Sequence, residues 1–517
     1  MSSATPQDAS SQEDMATLAK GGRTNTLGFL LRLLGGIPFL FVGFRLYGVD
    51  EMGRFAAAFV VIEVLALVCA LGEKRGLAQR LRDGEEDHAK GDGAPEANLV
   101  FDGMLTSLLF SLVACAILLA FPFLIFPSGT NSQWDMWMIA AIPAFALTEI
   151  LLAAQAYKYD IATTVRARAL VEPWTKSILV VALFFVPGLS DGGLALSFLG
   201  AIYAALFTAA WAFLRTYGWP KSWRPRPKYL AKMTARALPL VGADVIERGT
   251  RLIDVFLLGQ FTSAGTVGIY WFAKEIVSLP QKLKTSFEPI LAPVITKNLK
   301  TGNMAAIAAQ VRQVGFWIIA LQFGIALTLA IPGEAVMGLG GPQIVGGTGA
   351  LAILLAAEVV ASMAVVSESV LVYIARKRNL AISVGVITLQ GALTVGLIFL
   401  AKHWKLDEGF QAAGAALAMF FALGASSLIK ALVLKTLLKA PVSNWRWALV
   451  YAAAPAVVVG FIFTEFTPEW VELIIGGPAI LATYLFVIWK RGFDESDKVL
   501  FRKNVAPAPI AEAPENG

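Results

Sequence analysis

Apolar runs long enough to cross a bilayer follow one another along the chain, separated by short polar gaps. They fall at about residues 24–48, 53–72, 101–126, 135–157, 169–187, 194–214, 237–261, 267–292, 311–332, 348–374, 380–401, 411–432, 447–464 and 473–490. A helix needs roughly 20 apolar residues to span the hydrocarbon layer, so the pattern predicts an all-α polytopic membrane protein with about 14 transmembrane helices. The gaps sort by charge. Counting residues at the very ends of spans with the adjoining gap, alternate gaps on one side, with the tails, Arg312 and Lys490, hold 31 of the 43 Lys and Arg, the opposite side holds only Arg54, Lys402 and Lys405, and nine lie deeper within spans. That imbalance predicts both termini on the cytoplasmic side of the plasma membrane, the inner one in a two-membrane cell.

A weak internal repeat organises the spans. Placing VGFRLYGVDEMGRFAAAFVVIEV, from Val42, over LLGQFTSAGTVGIYWFAKEIVSL, from Leu257, aligns Gly53 with Gly268, Phe55 with Tyr270 and Ala58 with Ala273 at an offset of 215 residues. An even number of spans separates the copies, so both halves share one orientation. The expected plan is two six-helix bundles, 23–214 and 237–438, related by a pseudo-twofold along the membrane normal. Two further helices occupy 439–490. A disordered cytoplasmic tail covers 1–22, a second tail 491–517, and a basic linker 215–236. The linker, RTYGWPKSWRPRPKYLAKMTAR, has seven basic residues, no acidic one and interleaved aromatics. Beside a span, this pattern points to anionic lipid headgroups rather than nucleic acid. The gap EKRGLAQRLRDGEEDHAKGDGAPEAN reads as a solvated loop.

Composition removes several function classes. Only 15% of residues are charged and 57% are hydrophobic, far from a soluble domain. Cys69 and Cys115 both sit in apolar runs, so no disulfide framework or cysteine metal site is expected. His88 and His403 both fall in gaps, which leaves proton or cation coupling inside the membrane to carboxylates. The external gaps are all short and carry no catalytic-looking cluster. A transporter is therefore expected, without cofactor, metal or enzymatic chemistry.

The chemistry concentrates in Ala237 to Phe261, ALPLVGADVIERGTRLIDVFLLGQF. Its 25 residues reach about 37 Å as a helix, enough to span. At 100° per residue, Asp244, Glu247, Arg248, Arg251 and Asp254 share an arc of about 120°. A lone charge at mid-bilayer is unfavourable by ~2.5–3.5 kcal/mol on insertion scales, so this face must meet water, ligand or partner charges. Two readings follow. Asp244 with Arg248, and Glu247 with Arg251, are spaced as four-residue ion pairs that glue helices together; alternatively, the face lines a polar pathway. The next run adds Lys274, Glu275, Lys282, Lys284 and Glu288 with Pro280, Pro289 and Pro293, the last three charges being placed to snorkel. Elsewhere Arg32, Glu63, Glu149, Glu358 and Glu368 lie in spans. Glu172 and Lys176 read as a private helical pair, and Arg45 and Lys430 as snorkelling ends. Arg32, placed opposite Glu247 by the repeat, needs a partner from another helix or from a ligand.

RLLGGIPFLFVGFRLYGVDEMGRFAAAF near the start, and PLVGADVIERGTRLIDVFLLGQFTSAGTVGIYWFAKEIVSLPQKLKTSFEPILAPVI after the linker, resemble the polysaccharide flippases, the Wzx-type branch of the multidrug/oligosaccharidyl-lipid/polysaccharide exporter superfamily. The resemblance implies two bundles around an alternating-access cavity. It also implies that an undecaprenyl-pyrophosphate-linked oligosaccharide, a precursor of lipopolysaccharide or exopolysaccharide, moves from the cytoplasmic to the periplasmic leaflet. Partners would be that lipid-linked glycan, membrane lipids and other polysaccharide-assembly proteins. Arg32, Arg248, Arg251 and Lys274 match, by position, the basic residues that would hold the pyrophosphate. Glu63, Asp244, Glu247, Asp254, Glu358 and Glu368 are candidates for coupling to a proton or cation. Fourteen spans also fit the lipid II flippases of the same superfamily, and an antiporter of small organic cations is the alternative on the same plan.

Overall fold

The computed structural model describes residues 31–32, 34–89, 95–285, 295, 298–299 and 302–493, without the side chains of 74, 75, 85–89, 243, 247 and 282–285. Among the described residues the secondary structure is all helix. The chain opens with α1 (Leu34–Tyr47), followed by α2 (Val49–Cys69), α3 (Glu73–Ala89), α4 (Glu96–Ala120) and α5 (Ala141–Tyr157). A short α6 (Ile161–Val165) passes through a π turn into α7 (Glu172–Phe184), and α8 (Gly193–Thr216) precedes the basic linker. Then come α9 (Pro227–Phe261), α10 (Ala264–Thr285), α11 (Met304–Ala330), α12 (Thr348–Ile374), α13 (Arg376–His403), α14 (Glu408–Leu438), α15 (Ala448–Phe466) and α16 (Gly477–Val487). Ten described helical segments are long and apolar enough to cross a membrane. The helices α1 and α7 are short for that, and α9 and α10 carry the charges picked out above.

Two boundaries differ from the sequence expectation for physical reasons. The charged gap after α2 is a helix, α3, and not a solvated loop: Leu77 and Leu81, one turn apart, are fully buried against Leu99, Ile150 and Leu151. A stripe of two leucines is too narrow to register among so many charges, yet it suffices once α4 and α5 supply the other half of the core. The second is α9, which begins inside the basic linker, at Pro227. Proline suits a first helical position because its missing N–H has no intrahelical acceptor there.

By Cα proximity the chain divides into two compact units. The first comprises the described parts of Met1–Ile276, with Met337–Leu354 and Leu380–Leu423; the second comprises Val277–Val336, Leu355–Asn379 and Gly424–Gly517 as far as described. In the first, α2 packs on α4, α5 and α9, and α8 packs on α5 and α7. In the second, α11 packs on α15 and α16, and Ile307, Val311 and Ile318 join Val366, Val370, Leu434 and Leu438 in its core.

The two repeat copies meet inside the first unit. A β-carbon on Gly53 would lie 1.8 Å from the Ala264 carbonyl oxygen, and one on Gly268 would lie 2.3 Å from that of Val49. Each glycine thus abuts the backbone one turn before the other. The contact is reciprocal under the 215-residue offset, and only residues without side chains allow helices this close.

Several charges of the first unit are also fastened down. Asp102, fully buried on α4, accepts hydrogen bonds from Trp223 Nε1 at 2.9 Å and from Arg226 at 3.1 Å, while the Asn98 side chain donates to the Lys221 carbonyl at 3.0 Å. Glu73, nearly buried, pairs with Arg80. Burial pushes the Glu73 carboxyl up from its usual range, against the pull of Arg80. The linker is therefore tied to the protein through Trp223 and Arg226, while Arg215, Lys221, Arg224, Lys228, Lys232 and Arg236 remain exposed.

Candidate functional site

On α9 the five charges sit where the helical period puts them, and their arc coincides with the packed face: Asp244 and Asp254 are buried beside Val241, Leu252, Val255 and Leu258. Exposed Leu238 and Phe256 lie on a different side. The contact that the structure displays for Arg248 comes from a different helix than the four-residue spacing suggests. Arg248 reaches across to Glu63 on α2, forming an ion pair between helices. Asp244, one turn before Arg248, is also partnered. The Glu247 side chain lies outside the described residues.

The C-terminal end of the row closes on itself. Asp254 Oδ1 accepts from Lys274 Nζ at 2.5 Å, Asp254 Oδ2 accepts from the Tyr270 hydroxyl, and Lys274 also donates to the Arg251 carbonyl. Asp254 and Tyr270 have no exposed surface, and Lys274 keeps 16% of its side chain accessible. This is a hydrogen-bonded cluster joining α9 to α10, with the buried Asp254 charge compensated by Lys274. Arg248 differs: 42% of its side chain is accessible although it is paired. Arg251 is partly exposed and has no carboxylate partner among the described residues.

Arg32, exposed just before α1, lies in the field of Glu172. Glu172 is no private partner of Lys176. Arg168, in the π turn, bridges it at 2.7 Å to Glu149 on α5 at 2.5 Å, with the guanidinium 4.3 Å from the Phe145 ring. Lys176 instead rests 4.1 Å from the Phe39 ring of α1. Sequence reasoning placed Arg168 in a gap and missed this triad, though its four-residue spacing from Glu172 was legible. In the second unit, Glu358 is buried and accepts from the Gln281 amide at 2.9 Å. Glu368 pairs at 3.0 Å with Lys430, which is buried and does not snorkel. Arg45 donates to the Leu339 carbonyl at 3.0 Å. Lys282, Lys284 and Glu288 lie outside the described side chains. A cavity of about 360 Å³ in the second unit is lined by Leu329, Val336, Leu473, Leu481 and Leu485 among others. Its apolar walls offer little to a sugar or phosphate.

Residues 25–299, more than half of the chain, match the family model described as polysaccharide biosynthesis protein. The chain belongs to the polysaccharide biosynthesis protein family. The match covers α1 to α10, and with them both glycine hairpins and the charged row on α9. No functionally curated protein matches the sequence. Among solved structures, this family member is similar to the lipid II flippase MurJ in an inward closed conformation, at 13% identity and a TM-score of 0.66, over 92% of this chain and 99% of that one. It is also similar to a multidrug resistance MATE family transporter of the MOP superfamily. The inward-facing form gives 16% identity and a TM-score of 0.61 over 80% and 95% of the two chains; the outward-facing form gives 14% and 0.53 over 82% and 95%. At these identities the likeness establishes a shared transporter fold.

Proposed function

We propose that this protein flips a lipid-linked oligosaccharide, carried on undecaprenyl pyrophosphate, from the cytoplasmic to the periplasmic leaflet of the inner membrane, with both termini in the cytoplasm. The glycan is a precursor of lipopolysaccharide or exopolysaccharide, delivered to other polysaccharide-assembly proteins. The reading rests on one observation above the rest: Arg248 stands on α9, in a row with the buried Asp244 and Asp254, with 42% of its side chain accessible. A fork of donors kept open at such a place suits the paired oxygens of a diphosphate. Arg251, one turn on, and Arg32 complete the cationic set. Lys274, held by Asp254, keeps the row in place.

The antiporter of small organic cations is less well served. It needs an open carboxylate on the charged row, whereas Glu63 and Asp254 face Arg248 and Lys274 with 11% and 0% of their side chains accessible; Glu368, 46% accessible beside Lys430, lies in the second unit. The test is a deletion strain. Lipid-linked oligosaccharide should accumulate on the cytoplasmic leaflet, and wild type should relieve it while stably folded Arg248→Ala or Arg251→Ala should not. Absence of any lipid-linked sugar build-up would remove the flippase reading.

A further inference from the structure

The Arg248 pair is built asymmetrically. Glu63 lies within the apolar span of α2 with 11% of its side chain accessible, against 42% for Arg248. One carboxylate oxygen accepts from Arg248; the other, Oε2, is buried without a hydrogen-bond partner. Arg248 in turn presents five N–H donors, of which one serves Glu63 among the described residues. A fork and a carboxylate that can meet at two points meet here at one. The Lys176 ammonium, though within Coulombic range of Glu63, sits over the Phe39 ring.

We propose that Glu63 is an internal competitor for the ligand's anion, a positioning residue that sets affinity through Arg248. This rests on the flippase reading above. In this structure Glu63 holds Arg248 by a single point. An incoming diphosphate offers two oxygens to the fork and displaces the carboxylate, whose buried, half-satisfied state opposes the exchange. Glu63 therefore restrains binding and favours release, and by reciprocity a bound diphosphate loosens the α2 to α9 ion pair. A carrier needs such a restraint, since a site that binds both states equally tightly holds its cargo.

The probe is farnesyl pyrophosphate, titrated against the purified full-length protein by intrinsic tryptophan fluorescence. Glu63→Gln keeps the side chain's shape and removes its charge. It should tighten binding by about tenfold, within the usual range of site-to-site coupling. In proteoliposome transport it should lower KM and lower kcat together, a split that a merely structural role would not give. Arg248→Ala should weaken binding, and adding Glu63→Gln to it should change nothing further. Wild-type binding that a folded Glu63→Gln fails to tighten would overturn the competitor role alone. No binding by either protein would overturn the reading beneath it as well.

Discussion

A charge buried beside its partner resists removal of that partner more than removal of both. Asp254→Asn or Lys274→Met should each destabilise the protein by about 3–5 kcal/mol, because each strands a buried group. The double variant should recover part of the loss in a thermal melt. If Lys274→Met unfolds at the wild-type temperature, the cluster is not structural. Arg80→Met leaves Glu73 alone in its buried setting. Burial already raises that carboxyl, so the folded state holds its proton more tightly than the unfolded chain. The destabilisation by Arg80→Met should therefore be largest at neutral pH and diminish as pH falls through the raised value, the direction linkage requires for an acid whose folded pKa is elevated. The charged row itself was legible from helical period alone. Which carboxylate holds Arg248 was not, since Glu63 lies 185 residues away and four-residue spacing favoured Asp244.

Among the helices, α3 shows how little apolar sequence a helix needs once neighbours exist. Leu77→Ala and Leu81→Ala should each reduce stability by about 2–5 kcal/mol, the range for emptying a packed leucine site. Hydrogen exchange should show α3 opening before α4 and α5. The spans were readable because twenty apolar residues in a row have few other uses. The charged helix was not, because burial of two leucines depends on α4 and α5, which local sequence cannot report.

For the molecule as a whole, the span pattern and the family motifs pointed to an all-helical fold, which is similar to those of MurJ and the MATE transporter. The anchoring of the linker was hidden: Asp102 meets Trp223 and Arg226 from 121 and 124 residues away. Asp102→Asn should loosen that anchor. Trypsin should then cut between Lys221 and Lys232 several-fold faster than in wild type, while the spans stay protected. Unchanged cleavage would show that the linker is held by something other than this carboxylate.

The glycine seam carries a consequence of a different kind. Gly53 and Gly268 face carbonyl oxygens, so nothing across the joint has a rotamer to surrender when a methyl group arrives. A saturation scan should therefore reveal two isolated intolerant positions, 215 residues apart, inside helices whose neighbouring sites accept many apolar replacements.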